Sequence, residues 1–144
     1  MYTIRLPLDL SESEERFLSK CFYFGNKIHN TLVREAKERM DLLFKDQEYI
    51  AARKEYHDSD FSGKKKDELS KEQLKRKKQL TDLMQGKLEE YGLLSKHLDK
   101  YVSVIQKHCK NYISSHQAQA EAKAVYAGVK KVLYGDGKQI HFKR

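Results

Sequence analysis

The chain is predicted to be mainly α-helical: a bundle of about four to five helices inserted between an N-terminal and a C-terminal β-strand. Three observations predict this. Apolar residues recur at steps of three and four through most of the sequence, the period of a helix with one buried face. Serines stand just before the periodic runs, where a helix N-terminus needs a side-chain acceptor. Strict alternation of apolar and polar residues occurs only near the two ends.

The first alternating stretch places Tyr2, Ile4, Leu6 and Leu8 on one face and Thr3, Arg5 and Pro7 on the other. It reads as a short strand over residues 1–9. Pro7 has no amide to donate and so belongs at an edge or a strand end. Ser11-Glu-Ser-Glu14 then forms a capping box. Phe17, Cys21, Phe24, Ile28 and Leu32 make one apolar stripe, and helical pattern continues to about Tyr56 with a break near Asp46. Asp58 to Gly63 reads as a loop. Ser70 and Gln73 make a second capping box before a helix with Leu80, Leu83, Met84, Leu88 and Tyr91 inward, closed by Gly92. Ser95 opens a helix burying Leu98, Tyr101, Val102, Ile105, Cys109 and Tyr112. Ser114 or Ser115 opens the last, with Ala118, Ala122, Val125, Val129 and Val132 inward, and Gly135 ends it. Residues 10–134 are thus one helical domain. Residues 135–144 are a turn and a returning strand, with Ile140 and Phe142 on one face and Gln139, His141 and Lys143 on the other. Two lone strands are marginal in water, so this pair needs each other, with Ile140 and Phe142 beside Ile4 and Leu6.

Hydrophobic residues make up 39% of the 144 and charged residues 35%, with one proline, a helix-rich and polar balance. No run approaches a membrane span. The opening residues carry one arginine and no long apolar segment, unlike a signal peptide. Cys21 and Cys109 form no CxxC motif and fall on apolar helix faces, so both read as buried reduced thiols in a cytoplasmic setting.

Charge is uneven. Residues 1–60 hold 10 Lys/Arg against 12 Asp/Glu, while residues 61–144 hold 19 against 9. A basic half-chain points to a polyanion, most often nucleic acid; a solvated basic face is the plain alternative. Lys64, Lys65, Lys66, Lys71, Lys75, Arg76, Lys77 and Lys78 crowd into one stretch against Asp67, Glu68 and Glu72. Lys71, Lys75 and Lys78 stack on one side of a helix, where like charges repel unless an anion relieves them. Phosphates do so with release of counterions. Lysines position a backbone rather than read bases. A second basic cluster, Lys130, Lys131, Lys138, Lys143 and Arg144, surrounds the Gly135–Gly137 turn. That turn is either a phosphate contact or a plain helix stop. Tyr23, Tyr49, Tyr56 and Tyr126 stand partly off the core stripes and are candidates for stacking on bases.

No nucleophile elbow, Walker loop, HExxH motif or EF-hand loop is present. The six histidines are scattered, and His97 and His108 lack partners at metal-ligand spacing. Carboxylates such as Glu35, Glu38 and Asp41 occupy solvent-face positions. The chain therefore reads as no enzyme, with no catalytic residue, metal site or cofactor of its own.

The YTIRLPL strand, the CFYFGNKIHNTL helix with Gly25, Asn26 and Asn30, and the segment from Leu133 to Phe142 together resemble the N-terminal region of transposon-encoded TnpB (OrfB-type) proteins, relatives of the compact type V CRISPR effectors. The resemblance covers nearly all of the chain. It implies a first wedge-domain strand, an inserted helical recognition domain, and a return to the wedge at GDGKQIHF. It implies contacts to a structured guide RNA and to target DNA, with sequence read by base pairing. On that reading Arg5, Lys138 and Lys143 lie on the wedge side and the 64–78 run on the recognition lobe. The family's nuclease centre, with its divalent metal, and its zinc ribbon lie further along such proteins, so this chain reads as a truncated part of a larger protein or complex. A different class, a stand-alone helical regulator that binds another protein, requires an apolar stripe in excess of the core. No helix carries one clearly.

Overall fold

Four side-chain caps decide where helices begin. The side chains of Ser11, Asp46, Ser70 and Ser114 accept from the amides of Glu14, Tyr49, Gln73 and Gln117, three residues on. Each satisfies a donor that the first helical turn cannot use internally. The computed structural model describes residues 10–59, 61, 68–135 and 140. They form five helices: α1 (Glu12–Leu43), α2 (Gln47–Asp58), α3 (Lys71–Glu90), α4 (Ser95–Lys107) and α5 (Ser115–Leu133). The protein is mainly helical, as its periodicity predicts. Among the described residues there is no strand. The two predicted strands lie outside those residues, apart from Ile140.

The break near Asp46 is a true helix boundary: α1 stops at Leu43, and Asp46 caps α2. Helix α4 begins at Ser95 as predicted, but its N-cap is Leu94, which offers no side-chain cap.

Helices α1, α4 and α5 form one bundle. Its core joins Ile28, Leu32, Val33, Ala36 and Met40 of α1 to Leu98 and Val102 of α4 and to Ala118, Ala122, Val125 and Val129 of α5. The small alanines let α5 lie close to its neighbours. Helices α2 and α3 form a pair beside this bundle, with a smaller cluster of Ala52, Phe61, Leu69 and Leu80 between them. Phe61, in the predicted loop, is buried there. Tyr49 and Leu88 carry the pair into the main core.

The α3–α4 turn is a Schellman closure. The Leu93 amide donates to the Leu88 carbonyl at 2.9 Å and the Gly92 amide to Glu89 at 3.2 Å. Gly92 has φ +70°, and Arg39 Nη1 donates to its carbonyl at 2.7 Å, so the Arg39 guanidinium fills the space a side chain would need. Gly128 admits a different neighbour. A Cβ there would come within 3.1 Å of Ile140 Cγ2, and Ile140 is buried against α5 in the main core.

Other parts of the predicted core are not core. Phe17 begins the α1 stripe but is 50% exposed. The Phe17 ring lies 5.6 Å from that of Tyr112, in the segment between α4 and α5. Cys21 is half-buried, whereas Cys109 is buried. Leu83 faces solvent, because Leu80 and Leu88 take the inward direction of α3. Glu35 is half-buried and pairs with Arg39 at 3.0 Å.

Candidate nucleic-acid interface

The outer face of α5 is built by its inner one. With Val125 and Val129 buried, residues 123, 126, 130 and 134 are carried to the opposite side at about 3.6 residues per turn. Lys123, Tyr126, Lys130 and Tyr134 therefore share one outward row, exposed except at the half-buried Tyr126. With Ala127 and Lys131 they line a shallow trough of about 330 Å³. Lys130 Nζ sits 5.7 Å from the centroid of the Tyr126 ring. Tyr134 is 67% exposed. The helix has one carboxylate, Glu121, and its Oε2 lies 2.8 Å from His29 Nδ1 on α1. No acidic side chain of α5 thus answers the three lysines of the trough.

The α3 stripe is also presented outward. Lys71, Lys75 and Lys78 are exposed on the side opposite Leu80. None of the three pairs with a carboxylate among the described residues. Asp82 follows Lys78 by one turn, so this row is less purely cationic than that of α5. Arg76 is turned away from the stripe. Its Nε donates to Glu55 Oε1 at 2.9 Å and its Nη2 to Glu55 Oε2, a two-pronged bond across to α2. This bond holds Glu55 below the usual carboxylate range. The guanidinium is engaged within the protein rather than held out to a phosphate. Lys77 is half-buried. Of the remaining sequence candidates, Lys130 and Lys131 lie in the α5 trough, while Arg5, Lys64, Lys65, Lys66, Lys138 and Lys143 lie outside the described residues.

The candidate stacking tyrosines divide. Tyr23 is exposed, with Lys27 Nζ 5.4 Å from its ring. Tyr126 is half-buried in the trough. Tyr56 packs edge-on against Phe61 at 5.6 Å between ring centroids. Tyr49 is 4% exposed and belongs to the core, so it offers no free face at the surface. Tyr134 and Lys123 belong to no sequence motif, although the steps from 123 to 126, 130 and 134 carry the signal of a shared helix face.

Between α2, α3 and the end of α5 lies a second, deeper hollow of about 560 Å³. An ion cluster ties α2 to the end of α3. Asp46 Oδ2 accepts from the Tyr91 hydroxyl at 2.7 Å and lies 3.1 Å from Lys87 Nζ, while Oδ1 accepts from the Tyr49 amide at 3.0 Å. The Tyr91 hydroxyl first, then the Tyr49 amide and Lys87, hold the Asp46 carboxyl at about 2. Lys87 also reaches Glu48 and Glu90, at 3.3 and 3.4 Å, and is held above the usual lysine range chiefly by Asp46.

Among the described residues no three His, Cys, Asp or Glu side chains converge as a metal site would require. His97 Nδ1 accepts from the Leu94 amide at 3.3 Å, a structural use of the ring. No described helix is long and apolar enough to cross a membrane. No family model, curated protein or solved structure matches the chain.

Proposed function

We propose that this chain binds nucleic acid through its phosphate backbone, as the guide-RNA- and duplex-holding N-terminal segment of a TnpB-like RNA-guided nuclease associated with transposons. The flanking strands of the wedge belong to this reading. The nuclease centre and its metal would lie in the rest of such a protein, so the segment holds rather than cuts.

The observation that carries the reading is the α5 trough. It combines three lysines that no acidic side chain of the helix answers, two tyrosines about two helical turns apart, and an alanine that lets a backbone approach. Lysines neutralise phosphates without reading sequence, and tyrosines supply sequence-tolerant stacking faces. The exposed Lys71, Lys75 and Lys78 extend the cationic surface onto α3.

The test is RNA binding as a function of salt. Each phosphate neutralised on a single strand contributes about −0.7 to the log–log salt slope, so replacing Lys123, Lys130 and Lys131 with glutamine flattens the slope by about 2. Circular dichroism checks that the helices persist in that variant. Binding that is absent, or unchanged between low and moderate salt, overturns the reading.

One observation favours the stand-alone interaction module instead. Phe22 and Tyr23 are exposed beside the stacked Phe24 and Tyr112 rings, an apolar surface in excess of the core. A dimer that Phe22→Ser dissociates in sedimentation, with no RNA binding, would support that module.

A further inference from the structure

The hollow between α2, α3 and the end of α5 joins the two cationic rows. Tyr134 lines both it and the α5 trough. On α3, Lys71, Lys78 and Gln85 stand at heptad spacing and share a face within about 20° per step. Gln85 lines the hollow, so the exposed lysine row runs to its rim. A strand following either row is led to the same opening.

The walls suit one kind of occupant. Tyr56 and Tyr134 offer aromatic surface, and Tyr49 is buried among the residues that line the hollow. Arg53 lines it with a half-buried guanidinium. That group lies 5.5 Å from the Phe44 ring centroid, and no described carboxylate pairs with it. An arginine fork held against an aromatic ring, with no hydrogen-bond partner for it among the described residues, calls for a flat ligand carrying two adjacent acceptors. Thr81 and Gln85 add polar groups at the wall.

We infer that this hollow takes one unstacked guanine base of the nucleic acid whose phosphates follow α5, with the Arg53 fork donating to guanine O6 and N7. The inference rests on the nucleic-acid reading above and adds a base preference to a surface that otherwise reads none. Its volume of about 560 Å³ lies in the range of small-ligand pockets and leaves room for a base with its sugar. Adenine presents a donor where guanine presents O6, so the fork discriminates between the two purines.

The test uses the full chain and two probes. The first is a single-stranded RNA carrying one guanine, compared with the same strand carrying adenine or 7-deazaguanine there. The guanine strand is expected to bind on the order of tenfold tighter than either, the discrimination a two-pronged contact gives. Arg53→Gln removes that preference and leaves the salt slope nearly unchanged, because the α5 lysines are intact. Arg53→Lys, which keeps the charge without the fork, also removes it and guards against misfolding of the first variant. The second probe is guanosine monophosphate alone, followed by saturation-transfer NMR against adenosine monophosphate. Salt-dependent RNA binding with no guanine preference, or a preference that survives both Arg53 variants, overturns the inference and leaves the backbone reading standing. Absent RNA binding with Arg53-dependent capture of the guanine nucleotide overturns the backbone reading and keeps the pocket. Failure of both probes ends both.

Discussion

The α1–α4–α5 bundle and the α2–α3 pair are held together by different forces. The bundle is closed by apolar side chains, with Leu32, Val33, Leu98, Val102, Val125 and Val129 fully removed from solvent. The pair encloses only Ala52, Phe61, Leu69 and Leu80 between its helices. It relies on charge: Arg76 grips Glu55, and Lys87 gathers Asp46, Glu48 and Glu90. Apolar burial is nearly indifferent to pH, whereas charge pairing responds to pH and is screened by salt. The candidate pocket lies where the two regions meet. The pocket thus borders both the apolar bundle and the charge-paired helices α2 and α3.

Truncating the bundle core should break the comparison most. Leu98→Ala removes a fully buried side chain from the centre and is expected to cost about 2–5 kcal/mol in urea unfolding. Leu80→Ala in the smaller cluster is expected to fall at about the lower end of that range, since a four-residue cluster can close over the gap. Equal costs would mean that the two regions are not distinct.

The next effect is on the acid limb. Asp46 ionises at about 2 in the folded chain against an ordinary 3.8. A depressed carboxylate contributes stability that is complete above its unfolded value and lost as pH falls through its folded value. Thermal stability should therefore drop between about pH 4 and pH 2, and Asp46→Asn should be less stable at neutral pH yet flatter across that window. Parallel curves for the two proteins from neutral pH to pH 2 would show that the ion cluster contributes nothing.

Glu55→Gln gives the smallest effect. The Arg76–Glu55 pair is open to solvent on both sides, so its loss should lower the melting temperature slightly, and about 1 M salt should erase the difference. The substitution also frees Arg76 for phosphate. RNA binding by that variant should show a steeper salt slope than the parent, and an unchanged slope would mean that Arg76 cannot reach the strand.

Much of the scaffold was legible in order. The capping serines, the glycine stops and the apolar periods mark the helices because each is a local matter, settled within a few residues by backbone hydrogen bonds and side-chain spacing. The basic character of the second half was equally plain. Individual site residues were less so. Arg76 reads as one more cation in a run, and only the neighbouring α2 reveals that Glu55 engages it. Tyr49 reads as a stacking candidate, yet the α2–α3 pair carries it into the core. Arg53 and Tyr134 carry no motif at all. They become interesting because helices distant in sequence bring them to one hollow.

What the amino-acid sequence determined by itself was the helical class, the placement of the caps and the sign of the surface. Those follow from propensity, periodicity and counting, which depend on near neighbours only. The tertiary structure alone decided which half of the α1 stripe is covered, which cations are engaged by carboxylates, and where the two basic rows meet. Each of these is a contact between segments far apart in the chain, such as Arg76 with Glu55, 21 residues away, or Tyr91 with Asp46, 45 away. No local pattern encodes such a pairing, because its energy exists only once the helices have packed.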